Sequence, residues 1–201
     1  MKDDRCCQRC AGTLACRLDT CVETCGIDHL CGAPLERGCE DEAMSISNAL
    51  AELFHRDLTR LLQQLEAFPD NDVLWKRAPG IVNSAGNLVL HLEGNLREYV
   101  CRLLGGLPYR RAREEEFTAK GISIPFMVAR IEEIRQLVPR IIEHLSDDQL
   151  QAAFPESPLG SPRSTQQFLI HLNGHLNYHL GQIDYLRRLL TRGSSVEYAT
   201  L

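Results

Sequence analysis

The chain of 201 residues has the length and composition of one ordinary globular domain, with 44% hydrophobic and 24% charged residues. No apolar run approaches the roughly 20 residues that a membrane-spanning helix needs, and no basic and apolar leader marks the chain for secretion. The net charge is −5 and the isoelectric point about 5.8, without a basic stripe, which argues against nucleic-acid binding. We therefore expect a soluble, cytoplasmic protein.

The cysteines divide the chain into two parts. Eight of the nine lie in the first 39 residues. The segment 1–43 is acidic and has few large apolar residues, so it cannot form a core by itself. Cys7-x2-Cys10 is one half of a zinc site, without a well-spaced second half. Three interpretations stay open: a dispensable, poorly ordered leader with the functional chain starting at Met44, a metal-binding tail, or a disulfide knot. The predicted domain is 44–201.

After residue 44, apolar residues recur every three or four positions in four stretches, which is typical of amphipathic helices. No alternating β pattern of useful length appears. The sequence therefore predicts an all-α four-helix bundle with inter-helix connections of roughly 15–20 residues, in either up-down or crossover topology. The predicted helices run from Ser47 to before Pro69, from the N-cap Ser84 to Gly105, from Pro125 to Leu145 with a kink at Pro139, and from Thr165 to about Thr191.

Histidines replace leucine on one face of the last helix. His175 and His179 are four residues apart, a spacing at which two imidazoles can hold one metal ion. On the second helix, His91 lies at the edge of the apolar face and would supply a third nitrogen. Three protein ligands with one open position are typical of a catalytic metal site. The alternative is hydrogen-bonded core histidines, and His171, one turn before His175, is an alternate ligand or a group that supports one.

Other polar residues are weaker candidates. His55 lies beside the apolar stripe of the first helix, and it and His171 are the candidate catalytic side chains. His144 is interpreted as a structural residue at a helix end. Asn95, one turn after His91, is positioned to orient a ligand or a substrate.

Three further features have structural interpretations. The mixed-charge run 110–116 is interpreted as a solvated helical turn with ion pairs. Cys101 is interpreted as a packing thiol. Glu93 points about 200° away from His91 on an ideal helix, which makes it a poor base for a metal-dependent hydrolase.

Two motifs together resemble the DinB-like superfamily of metal-binding four-helix bundles. The resemblance covers about residues 45–191. It is carried by the stretch from Trp75 to Phe117, with Asn87-Leu-Val-Leu-His-Leu-Glu-Gly-Asn-Leu96, and by His175-Leu-Asn-Tyr-His-Leu-Gly-Gln-Ile183 in the last helix. The cysteine-rich segment has no counterpart in this family.

The resemblance implies a divalent metal ion held by His91, His175 and His179. It also implies a thiol S-transferase type of reaction between a small thiol and an electrophilic small molecule, and it implies a homodimer. Zinc and nickel are the first expectations for the metal, with manganese and iron also compatible. The alternative functions are a non-catalytic metal-binding bundle in a stress response and a metal-dependent hydrolase.

Overall fold

The computed structural model describes residues 44–198, and within this range the chain forms helices and no strand. The all-α prediction is confirmed. The predictions for the cysteine-rich segment 1–43 lie outside the described residues. No helix within 44–198 is long and apolar enough to cross a membrane. The helices are α1 (Ile46–Glu66), α2 (Asn71–Trp75), α3 (Ala85–Leu96), α4 (Arg113–Thr118), α5 (Ile124–Glu143), α6 (Asp147–Gln151) and α7 (Thr165–Thr191).

The long helices begin within one residue of their predicted starts, and α3 and α7 are capped by serine side chains. The side chain of Ser84 accepts a hydrogen bond from the backbone of Asn87 at the start of α3, and Ser164 does the same for α7. After α3 the chain continues as a π-helical segment, Arg97–Arg102. Gly106 then adopts a positive φ of 67°, and the backbone bonds around it close the helix end.

The four long helices cross over rather than run simply up and down. Among the four long helices, α1 and α3 each pack against α5 and α7 rather than against each other, so α1 lies diagonally to α3 and α5 lies diagonally to α7. A core of leucine, isoleucine and phenylalanine side chains fills the centre, among them the fully buried Phe54, Leu65, Ile134 and Ile183. The connections are not structureless, because α2, α4 and α6 lie within them.

A buried polar network joins α1 to α7. Asp57 is fully buried, and its carboxylate accepts hydrogen bonds from the amides of Asn173 and Asn177 at 3.1 and 2.6 Å. Arg56 and Arg60 donate to its other oxygen at 2.7 and 3.2 Å. Because every polar contact of this carboxylate is satisfied, it can lie inside the bundle and fix α7 against α1.

The outer face of α7 is partly apolar. Tyr178, Tyr185 and Leu189 are exposed there. The homodimer that the family resemblance implies stays a prediction.

Candidate metal centre

Three imidazole rings from α3 and α7 converge at the contact between these helices. The Nε2 atom of His175 lies 3.3 Å from Nε2 of His91 and 3.1 Å from Nε2 of His179. One ligand atom from each ring falls within 4.8 Å of the other two. The helices explain this geometry: His175 and His179 are one turn apart on α7, and α3 packs directly against that turn.

The outer nitrogens of two rings face hydrogen-bond acceptors. Nδ1 of His91 lies 2.9 Å from Oε2 of Glu116, and Nδ1 of His179 lies 2.7 Å from Oε1 of Gln182. In a neutral ring, an Nδ1 that donates its proton leaves a lone pair on Nε2. Glu116 and Gln182 therefore direct the lone pairs of His91 and His179 toward the shared point.

The donor set fits a divalent metal ion. Imidazole nitrogens suit zinc, nickel, iron and copper, and a carboxylate or carbonyl that accepts from the outer ring nitrogen is the usual support of a metal-bound histidine. The amide nitrogen of Asn95 lies 3.1 Å from Nε2 of His91 and 3.4 Å from Nδ1 of His175. Asn95 thus contacts two rings of the group, and its role in orienting a ligand or a substrate stays a prediction.

Glu116 is itself held by an arginine. Arg111 donates to both carboxylate oxygens, at 2.6 Å to Oε1 and 2.8 Å to Oε2. Burial acts to raise the pKa of Glu116, but the hydrogen bonds from Arg111 and His91 outweigh it and hold the pKa below its ordinary value. Glu116 is therefore an ionised acceptor beside His91.

Burial favours the neutral forms of His175 and His179. The pKa of His175 is lowered from 6.5 to about 4, because the ring is desolvated and lies beside His179 and His91. Burial also lowers the pKa of His179, and the hydrogen bond with Gln182 opposes this only in part. At neutral pH these rings are free of the protons that would compete with a metal ion.

Within residues 44–198, no fourth histidine, cysteine or carboxylate joins the group. Glu93 is turned away, as the helical geometry predicts, and its carboxylate bonds to Arg97 and Arg130 at 2.7 and 2.8 Å. His171 is adjacent but separate, with its ring centre 6.4 Å from that of His175. The arrangement is thus three converging nitrogens, and no side chain in the described part of the protein closes a fourth position.

A cavity of about 240 Å³ opens beside two of the converging rings, those of His91 and His175. Its polar wall includes His91, His175 and His171 together with two arginines, of which Arg111 comes to within 3.4 Å of Nδ1 of His91. The remaining wall is largely aromatic and aliphatic. The full lining is His91, Asn95, Tyr99, Arg111, Arg113, Pro158, Leu159, Phe168, His171, Leu172 and His175.

The other histidines and the cysteine considered in the sequence analysis do not belong to this centre. His55 does not reach this centre: it accepts a hydrogen bond from Arg135 at 2.7 Å and lines a different cavity, formed by α1 and α5. His144 caps the end of α5 and contacts the carbonyl of Arg140, as a structural residue does. Cys101 is buried, and burial raises the pKa of its thiol to about 11, as expected of a packing thiol.

The interpretation of 110–116 as a solvated turn is wrong for two of its residues. Glu116 is only 6% exposed and Arg111 is half-buried, because their ion pair faces His91 instead of solvent. A signal for this lies in Gly94, three residues after His91. A Cβ atom at position 94 would collide with Oε1 of Glu116. Gln182 was not predicted as a site residue either, although its spacing of three residues from His179 places it on the same helix face.

Comparison with known proteins agrees with this description. A crystal structure titled as a DinB-like protein from Bacillus cereus superposes with a TM-score of 0.58 at 16% identity, covering 75% of this chain and 95% of that one. The structure of a conserved protein from Enterococcus faecalis gives 0.59 at 17% identity, covering 75% and 100%. At these identities the likeness concerns the fold. A search of curated proteins gave no significant match.

The sequence itself places the chain in a family. The family model of the DinB superfamily matches residues 53–183, which is more than half of the chain and contains all three converging histidines. The chain therefore belongs to the DinB superfamily.

Proposed function

We propose that this protein is a divalent-metal-dependent enzyme of the thiol S-transferase type, with the metal held by His91, His175 and His179. One observation carries the proposal: three imidazole nitrogens meet beside a cavity, and no fourth side chain of the described residues closes the group. Three protein ligands with an open position are typical of catalytic sites, whereas structural zinc sites are usually closed by four.

Zinc or nickel is the proposed metal, and manganese or iron is compatible with the same ligands. When bound, the ion would supply the positive charge that favours a thiolate over a thiol at neutral pH. The chain supplies the rest. Glu116 and Gln182 hold the protons of His91 and His179 on Nδ1, so that Nε2 of each ring remains available.

The cavity wall would orient the substrates and limit the access of water. Phe168 and Leu172 are buried on this wall, and Leu159 covers it from the connection before α7. In the proposed reaction, the thiolate sulfur attacks an electrophilic carbon. A carbon–sulfur bond forms while the leaving group departs with the electron pair of its own bond to that carbon.

The proton of the incoming thiol needs an acceptor. His171 lines the cavity, and its ring stacks between Phe168, with centres 6.1 Å apart, and His175. We assign this role to His171, whose ring is on the wall but outside the converging group.

A hydrolase that uses bound water would need a free carboxylate base beside the centre. The two buried carboxylates nearest in sequence to His91 are both engaged: Glu93 with Arg97 and Arg130, and Glu116 with Arg111 and His91. A thiol is far more acidic than water, so the imidazole of His171 can serve as its proton acceptor, which favours the thiol reaction over hydrolysis.

The test is a metal determination followed by an activity assay. Elemental analysis of purified protein should find close to one divalent ion per chain, and His175→Ala should remove it, whereas His144→Ala, at a helix end, should not. The loaded protein should then accelerate the reaction of a small thiol with a chlorodinitrobenzene. Metal without thiol turnover would point to the non-catalytic stress-response bundle, and turnover of an ester without thiol would point to the hydrolase.

A further inference from the structure

The cavity beside the three histidines has an unbalanced charge. Two arginines line it together with His91, His171 and His175, and no aspartate or glutamate from the described part of the chain does. Arg111 is already neutralised, because its guanidinium donates to both oxygens of Glu116. Arg113 differs: it makes no ion pair or hydrogen bond through its side chain with any residue in 44–198, and it is exposed.

The position of Arg113 is set by the segment around it. It begins α4, two residues after Arg111 and three before Glu116, and the ion pair between these two residues anchors this turn against α3. The turn therefore brings one partnered and one unpartnered guanidinium to the same cavity wall. A guanidinium in this setting binds carboxylates and other anions in a two-pronged geometry.

The apolar part of the cavity wall and the cavity volume limit which kind of molecule could carry the anionic group. Tyr99, Leu159, Phe168 and Leu172 give the same cavity wall an aromatic and aliphatic surface. The volume of about 240 Å³ corresponds to about eight water molecules, at about 30 Å³ each. A small molecule with a short apolar body fits this space, and a large conjugate does not fit entirely within it.

We propose that Arg113 selects for an anionic group, and that the ligand reaching the three-histidine centre through this cavity is a small carboxylate-bearing compound with an apolar body. The inference rests on the proposed function for the identity of the reacting end, since it adds the charge of the substrate to that reaction. The anion preference itself does not depend on thiol chemistry.

The test uses the full chain loaded with cobalt(II), whose absorbance reports a coordinated sulfur. The probes are a series of straight-chain mercaptocarboxylates of two to six carbons, each matched by the mercaptoalcohol of the same length. We expect at least one acid to bind about tenfold more tightly than its alcohol, as one charge-assisted contact would give. Arg113→Gln should abolish this preference.

The control variant is Arg110→Gln, because Arg110 is an exposed arginine of the same segment that lines a different surface depression. It should leave the preference unchanged. A preference that survives in Arg113→Gln would show that another group, such as the metal or Arg111, recognises the carboxylate, and would overturn the proposal. Equal binding of acids and alcohols to the wild type would overturn it as well.

A second measurement separates this inference from the proposed function. Hexanoate and hexanamide are titrated into the protein and binding is followed by calorimetry. If no thiol ever perturbs the cobalt spectrum, the thiol reaction fails, but hexanoate should still bind more tightly than hexanamide to the wild type and not to Arg113→Gln. If thiols coordinate but neither pair shows an anion preference, only the role of Arg113 fails.

Discussion

Gly94 leaves the space that the carboxylate of Glu116 occupies. A side chain at position 94 would overlap Oε1 of Glu116, and the same carboxylate contacts His91 through Oε2 at 2.9 Å. A glycine in the middle of a helix costs stability. Here it allows a charged acceptor from the following connection to reach a ring on α3.

Gly94→Ala should therefore weaken metal binding although residue 94 is not a ligand. The new methyl group displaces Glu116, and His91 loses the partner that holds its proton on Nδ1. Loss of such a supporting contact lowers metal affinity by about 10- to 100-fold. Competition with a chromogenic chelator would measure this decrease in metal affinity. Gly181→Ala is the control, because nothing lies within 4 Å of a Cβ there, and equal affinities of the two variants would contradict the prediction.

His179→Ala should abolish stable metal binding. The ring provides one of three nitrogens, and His175, one turn away, is already part of the group. Elemental analysis after dialysis should find the variant empty. His55→Ala serves as the matched control, since that imidazole lines the cavity of α1 and α5 and should leave the metal content at the wild-type level. Unchanged metal in His179→Ala would rule out this ring as a ligand.

The metal-free protein should lose stability as the pH falls through weak acid. The pKa of His175 is about 4 when folded and 6.5 ordinarily, so the unfolded chain takes up the proton first. The stabilising contribution of the neutral ring is complete above about pH 6.5 and is lost progressively down to pH 4. Melting temperatures of chelator-treated protein, measured between pH 6.5 and pH 4, would report this loss of stability. His175→Gln should flatten this dependence, and an identical slope in both proteins would refute the assignment.

Asp57→Ala should destabilise the bundle by about 3–5 kcal/mol, the usual cost of removing one side of a buried charged network. The substitution leaves Asn173, Asn177 and two arginines without their common acceptor. Urea denaturation measures the difference. Glu132→Ala, which breaks a partly exposed pair with Arg135, should cost less than about 1 kcal/mol. A similar loss of stability in both variants would show that the buried network around Asp57 contributes no more than a partly exposed ion pair.

Cys101 should resist alkylation in the native protein at pH 8. Burial removes it from solvent and raises the pKa of its thiol to about 11, so hardly any reactive thiolate forms. Pulse labelling with iodoacetamide followed by peptide mass mapping reports this residue separately from the others. The denatured chain should be labelled fully at Cys101. Rapid labelling of native protein would show that α3 and its π-helical continuation open readily.

The long helices and the candidate metal ligands could be predicted from the sequence. The packing partners of the helices and the residues that support the ligands could not. Leucine periodicity predicted the four long helices because each must bury one stripe. The same periodicity is silent on which stripes meet, so the diagonal placement of α1 and α3 appeared only in the structure. His175 and His179 were predictable because an imidazole on a leucine face is unusual. Glu116 was not, because three successive glutamates give no sign of which one is buried.

The ligands of the candidate centre are far apart along the chain: His91 and His175 are separated by 84 residues. No local turn can assemble them, and their encounter requires α3 and α7 to be docked already. An ion that needs all three nitrogens would thus be captured only by molecules that have finished folding. The fraction of chains with bound metal would then equal the fraction that has folded correctly. Metal binding would also stabilise these chains against unfolding.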